Sequence, residues 1–278
     1  MHQKTLLAAL RQASVVYRTD AEQGRQVWSD ITIDIFEGEW IVVTGPNGSG
    51  KSTLASVLLG LCPLSGGQLV REQRKRMLTR GVLQIPEAQF VGDTVEEELQ
   101  HVPGTQYLTH DERAAFYQEA LQSVGLSIPL NRTLNTLSGG QKQLVNIAAA
   151  LAAKPAMLVL DEPTAMLDPA ARQEVIRTVR QAHKQGMTIV WITHRLEEAA
   201  EASRVIAFGG GRIAFDGAPV TFFYGEGDDR AEGSTPCSRL GLEPPFVVQT
   251  AWALMAKGLQ LHRLPLNADE LAEAVSSL

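Results

Sequence analysis

Residues 39–53 read EWIVVTGPNGSGKST: an apolar run, a glycine-rich loop and a lysine-serine pair in direct succession. The apolar run predicts a buried strand. The residues from Lys51 to Leu61, closed by Cys62 and Pro63, predict a helix. Between them, Gly45-Pro46-Asn47-Gly48-Ser49-Gly50-Lys51-Ser52 fits the Walker A pattern in the strand-to-helix position it requires. The glycines let successive backbone N–H groups turn inward, making an anion nest at a helix N-terminus. Asn47, Gly48, Ser49, Gly50, Lys51, Ser52 and Thr53 are thus candidate phosphate ligands. Lys51 would reach the β- and γ-phosphates and Ser52 would bind Mg²⁺.

Working outward, strand and helix patterns alternate. Upstream, residues 13–18 and 28–37 are short and β-rich. Downstream, GQLV and GVLQI read as strands, AMLVLDE as a buried strand, and Asp168-Pro169 as the start of a helix that stops at Gly186. MTIVWIT predicts another strand, then a helix from Arg195, then a hairpin around Gly209-Gly210-Gly211. Between Glu87 and Leu137 the chain is charged and helical, with a capping-box pattern at Thr109–Glu112. The fold class expected is α/β: a P-loop core with a mostly parallel sheet, an antiparallel β portion and an inserted α-helical subdomain. The domain reading is a core of residues 1–86 and 155–225, a helical insertion over 87–154, a glycine-rich linker over 226–238, and a small C-terminal helical extension over 239–278.

Composition bounds the partners. With 278 residues and 44% hydrophobic content, the chain can bury one large or two modest cores. A net charge of -6 argues against broad nucleic-acid binding, which needs a basic face. Two cysteines, Cys62 and Cys237, are too few for a disulfide framework and suit a reducing cytosol. The run LLAAL after Lys4 starts like a signal peptide, but Arg11 and Gln12 end it too early. Residues 144–160 approach spanning length but contain Asn146 and Lys154-Pro155, so a helix followed by a buried strand is expected there. Any work at a membrane would go through a partner.

The remaining candidates lie at predicted strand ends. MLVLDE delivers Asp161 and Glu162 where ligands bind in such sheets. Asp161 would hold Mg²⁺ and Glu162 would act as general base; the alternative, an Asp-Glu helix cap, is disfavoured by Pro163. His194, after IVWIT, is either a structural strand-end histidine or a contact to the γ-phosphate and attacking water. Gln84, at the end of GVLQI, carries a neutral amide suited to Mg²⁺ or its water. Tyr17 is either a core aromatic or a platform for adenine.

A second serine-glycine turn, LSGGQKQLV at residues 137–145, sits just before the MLVLDE strand. The order Tyr17, Walker A, Gln84, LSGGQ, MLVLDE, AMLD and Thr193-His194 resembles the ATP-binding cassette (ABC) ATPases, over roughly residues 6–217. The resemblance implies ATP and Mg²⁺ as cofactors. It also implies that Ser138, Gly139, Gly140 and Gln141 cap the γ-phosphate held by a second cassette, with Asp168 at the seam. Helix-end electrostatics agree, since a serine hydroxyl, glycine N–H groups and a positive helix terminus form a second anion site.

Residues 83–99, 164–169 and 240–258 resemble the energy-coupling-factor (ECF) type, the ATPases of cobalt/nickel and vitamin importers. That likeness implies these partners: a second cassette subunit, an integral-membrane transporter subunit and a separate substrate-binding membrane protein, with no nucleic acid. It implies a peripheral place on the cytoplasmic face of the cell membrane. The rival reading is a soluble ABC ATPase such as an iron–sulfur cluster assembly ATPase. The acidic run Glu96–Glu98 is either a solvated helix start or a contact for a basic coupling helix. Two residues depart from the family pattern: Ile85 where many relatives have asparagine, and Leu144 where an arginine is usual.

Overall fold

A computed structural model describes residues 5–17, 24–71, 79–226 and 232–276. Strands β1 (Leu6–Tyr17), β2 (Arg25–Phe36), β3 (Trp40–Thr44), β4 (Gly66–Arg71), β5 (Thr79–Val82), β6 (Met157–Asp161), β7 (Thr188–Ile192), β8 (Arg204–Gly209) and β9 (Arg212–Gly217) form two sheets. One is antiparallel, in the order β2-β1-β4. The other runs β5-β6-β7-β3-β8-β9; it is parallel throughout except for β9, which returns beside β8 as a hairpin.

The core follows from alternation along the central strands. β3, β6 and β7 are buried at every position, as expected of parallel strands covered on both faces. Successive side chains point to opposite faces. Trp40, Val42, Leu158, Leu160, Ile189 and Trp191 share one core with the helical parts of the chain. Ile41, Val43, Met157, Val159, Val190 and Ile192 face the other way, against β1, β2 and helix α1 (Lys51–Leu58). The would-be signal stretch, residues 6–10, is the first half of β1 and almost wholly buried.

Helices α2 (Val95–Leu99), α3 (His110–Ser123) and α4 (Gly139–Ala152) fall within the predicted insertion, and α5 (Pro169–Lys184) follows β6. Among the described residues no helix is long and apolar enough to cross a membrane; residues 144–160 divide between α4 and β6. The Thr109–Glu112 capping box forms, with both reciprocal hydrogen bonds in place.

Several boundaries differ from the sequence reading. Helix α1 ends at Leu58, because Leu61 N–H reaches Ser56 O and Gly60 N–H reaches Val57 O. These bonds, with Gly60 at φ +77°, form a Schellman closure before Cys62-Pro63 is reached. Strand β5 stops at Val82, so Gln84 lies beyond it. The Gln89 side chain takes over the backbone there, accepting from Leu83 N–H and donating to Gly81 O. The predicted helix from Arg195 is a six-residue 3-10 turn, Leu196–Glu201, between β7 and β8.

The range read as linker, 226–238, contains α7 (Pro236–Arg239), which follows α6 (Pro219–Tyr224). Cys237 is fully buried in the main core and Thr235 is buried too, so residues 232–238 are not a free linker; residues 227–231 of that range lie outside the described residues. Beyond lie α8 (Phe246–Ala256) and α9 (Ala268–Ser276). Val248 and Ala251 of α8 join the same core, and Tyr224 Oη donates to Pro265 O at 2.6 Å. The C-terminal segment is therefore packed onto the main core.

Candidate active site

Parallel register brings the candidate residues together. Val43 and Asp161 both pair with Ile192, so β3, β6 and β7 end at one level. A cleft of about 670 Å³ opens there. It is lined by Tyr17, Asn47, Gly48, Gly50, Lys51, Ser52, Thr53, Gln84, Glu162 and His194 of the predicted set, joined by Arg25 and Val27.

The glycine loop has the conformation its residues predict. Gly45, Gly48 and Gly50 have φ of +137°, +76° and +99°. At Gly50 a Cβ would lie 2.1 Å from Trp28 Nε1, whose N–H donates to Gly50 O. Ser49 turns its hydroxyl inward, buried and without a hydrogen-bond partner. Lys51 Nζ donates to Gly45 O and Pro46 O at 2.8 and 3.1 Å. Burial lowers the Lys51 pKa, opposed by the negative fields of Glu162 and Asp161. A triphosphate would favour the charged ammonium.

Asp161 lies under the cleft floor. Burial raises its pKa, and the Glu162 charge adds to this; a hydrogen bond from Ser52 and the Lys51 charge act the other way. Its Oδ1 is buried with no hydrogen-bond partner. A hydroxyl beside a carboxylate with a spare oxygen is a donor set that fits Mg²⁺, an oxygen-seeking ion that keeps several waters and uses few protein ligands. Among the described residues no group of three or more His, Cys, Asp or Glu gathers into a metal cluster.

Glu162 sits at φ +51°, a left-handed conformation uncommon for a residue with a side chain. Its N–H donates to Ile192 O at 2.9 Å. This aims its carboxylate at His194, whose Nδ1 is 2.6 Å from Oε2. An ionised carboxylate only accepts, so Nδ1 is the donor in this contact. Tyr17 is half-exposed, its hydroxyl 3.4 Å from Thr53 Oγ1, and its ring borders the cleft instead of entering a core.

Ser138, Gly139, Gly140, Gln141 and Asp168 do not line this cleft. Ser138 caps α4 in a reciprocal box with Gln141, at 3.0 and 3.2 Å. Asp168 caps α5, accepting from the N–H groups of Ala170 and Ala171. Both turns adjoin through Met166, which lies against Gly139 and Gly140. Leu144 is buried in the main core; α4 meets the loop after Gln84 through Lys142–Glu87 at 2.9 Å and Asn146 Nδ2 to Pro86 O at 3.1 Å. Ile85 is exposed. Two residues of the acidic run are engaged locally: Glu97 completes a capping box with Thr94, and buried Glu98 accepts from Val91 and Gly92 N–H.

Arg25 and Val27 went unnoticed in the sequence. Arg25 is the cross-strand partner of Tyr17 in the β1–β2 register, a pairing hidden by the intervening residues 18–24.

A phosphate nest, an acidic pair and a histidine at the ends of parallel strands define a P-loop nucleoside triphosphatase. Residues 28–165 match the ABC transporter family. The chain is 43% identical over 259 residues to the energy-coupling factor transporter ATP-binding protein EcfA1 of Symbiobacterium thermophilum, covering 89% of this chain and 88% of the relative. It is 38% identical over 272 residues to the protein of the same name from Halalkalibacterium halodurans, at 94% and 95% coverage. Among solved structures, cbiO1 from Clostridium perfringens, described as part of the ABC transporter complex cbiONQ, superposes with a TM-score of 0.65 at 27% identity, over 79% of this chain and 91% of that one. The chain belongs to the ATP-binding cassette family, among the energy-coupling factor ATPases.

Proposed function

We propose that this chain is the ATP-hydrolysing subunit of an ECF-type importer, driving uptake of a vitamin or of cobalt/nickel by ATP-dependent closure of two cassettes. The observation that carries the reading is the division of the site. Glu162 and His194 face the phosphate loop of the same chain, while the Ser138 turn lies outside that cleft and needs a second cassette to meet a nucleotide.

In this reading Lys51 and the loop N–H groups hold the phosphates, and Tyr17 stacks on adenine. Glu162 takes the proton of the attacking water, and the His194 N–H fixes the orientation of that carboxylate. Ser52, Asp161 and Gln84 would hold Mg²⁺, which when bound neutralises charge on the phosphate oxygens. Ser138, Gly139, Gly140 and Gln141 close over the partner cassette's nucleotide, with Asp168 at the seam.

Gln84 links the core to the helical segment 87–154, whose rotation would move the groove for a membrane subunit's helix. Closure is then a population shift driven by the higher affinity of the closed pair for ATP. The chain works from the cytoplasmic face of the membrane, beside a membrane subunit and a separate substrate-binding membrane protein. The soluble assembly-ATPase alternative finds no support in the relatives, which carry transporter names.

Two measurements test this. E162Q should trap an ATP-bound pair and lower hydrolysis by about 10²–10⁴-fold; hydrolysis at the normal rate refutes the base assignment. Purification from membranes should recover an integral-membrane partner, lost when residues 84–98 are altered; recovery with soluble partners alone refutes the transport reading.

A further inference from the structure

Behind the Glu162–His194 pair lies a buried carboxylate that the hydrolytic arrangement leaves unused. Glu198 sits in the 3-10 turn after β7, and its two oxygens serve different segments. Oε1 accepts from Thr164 Oγ1 at 2.5 Å, and Oε2 accepts from Trp191 Nε1 at 2.7 Å. Arg195 Nε stands 4.0 Å from Oε1. Thr164 and Trp191 are themselves buried. Thr164 follows Glu162 by two residues, and Trp191 precedes His194 by three.

A carboxylate taken out of water is a poor source of stability, because desolvation offsets much of what its hydrogen bonds return. What this one supplies is geometry. Glu162 holds a left-handed backbone conformation, which is strained for a residue with a side chain and persists only where its surroundings over-determine it. One restraint is the Glu162 N–H to Ile192 O bond. A second is Ala165 N–H to Glu162 O at 3.2 Å, and a third is the Glu198 bridge, which ties the loop just past Glu162 to the same strand that delivers His194.

We propose that Glu198 is a positioning residue for ATP hydrolysis. Acting through Thr164 and Trp191, it holds residues 162–164 against β7 so that the Glu162 carboxylate meets His194. This rests on the reading of Glu162 as the general base. The 2.6 Å contact between Glu162 and His194 is the quantity the bridge sets, so its loss degrades the chemical step and leaves nucleotide binding, which uses the phosphate loop and Tyr17, in place.

The test uses T164V, which removes the hydroxyl at nearly constant volume; T164S, which restores it; and E198Q, which keeps shape and an acceptor for Thr164 while removing the buried charge. Steady-state hydrolysis and ATP binding are measured in the native complex, alongside E162Q. T164V and E198Q should lower kcat roughly 10–100-fold, the scale of a small misplacement of a reacting group, with KM within about twofold and T164S close to the parent. A general loss of packing would move KM and thermal stability with kcat and would not be rescued by serine; that pattern overturns the proposal, as does T164V with unchanged kcat. An active E162Q overturns the base assignment and this role with it. An inactive E162Q beside unimpaired T164V and E198Q overturns only the role of Glu198.

Discussion

Replacing Gly50 by alanine tests whether the phosphate loop is held by sterics from outside the loop. Gly50 is the N-terminal cap of α1 at φ +99°, where a residue with a Cβ costs about 1–2 kcal/mol. The added methyl would sit 2.1 Å from Trp28 Nε1, 2.7 Å from its Cδ1 and 2.9 Å from Val27 Cγ1. Trp28 cannot retreat, since it is fully buried and stacked on Phe208 at 5.8 Å. Relieving the clash costs a further 1–3 kcal/mol or so, and displacing the indole forfeits about 0.5–1.5 kcal/mol from its bond to Gly50 O. The sum is about 2.5–6.5 kcal/mol, a large share of the 5–15 kcal/mol or so by which domains are stable.

At about 2–4 °C per kcal/mol, the melting temperature should fall by about 5–26 °C. ATP affinity should fall too, because Val27 and Gly50 both line the cleft. Gly60→Ala is the control: φ is +77° but nothing lies within 4 Å of the added Cβ, so only the backbone cost of about 1–2 kcal/mol applies. Calorimetry and nucleotide titration of both variants decide the matter. If G50A melts no lower than G60A and binds ATP normally, the argument from Trp28 is wrong.

Two further outcomes are expected. Tyr17→Ala should weaken ATP binding about 5- to 150-fold, from about 1–3 kcal/mol of base stacking, while Tyr17→Phe retains most of it; equal losses in a titration would show that the hydroxyl near Thr53 matters more than the ring. Burial pushes the Cys237 thiol up to about 12, so in the folded chain an alkylating reagent at pH 8 should modify Cys62 and spare Cys237 until denaturant is added. By linkage, the tighter hold on that proton contributes stability below the ordinary thiol value near 9 that is lost as pH rises toward 12. Mass spectrometry of the labelled protein, with comparable early labelling at both cysteines, would contradict the packing of α7.

Legibility tracked how local the cause was. The strand, loop and helix that start at residue 39, the capping box at Thr109 and the Asp168 cap depend on residues close in sequence, and each forms as read, with a further box at Ser138. The error at the end of α1 was local but subtle, because Gly60 closes the helix through its own backbone conformation ahead of a more conspicuous proline. The end of β5 depends on Gln89, six residues past Leu83, whose side chain carries no strand-ending signal of its own. The linker reading failed at Cys237 because composition registers glycine and polarity, and burial in a core shared with α8 is not a local property.

By itself the sequence determined the α/β class, the family and most of the cleft. The glycine loop is built from contiguous residues, and the strand ends bearing Asp161, Glu162 and His194 are marked by apolar runs. Tertiary structure alone decided which side chains meet. The parallel register of β3, β6 and β7 puts Glu162 on His194, the β1–β2 register brings Arg25 beside Tyr17, and Glu198 bridges Thr164 to Trp191. The physical reason is that a hydrogen bond across strands depends on register, and register is set by the packing of both faces of the sheet at once.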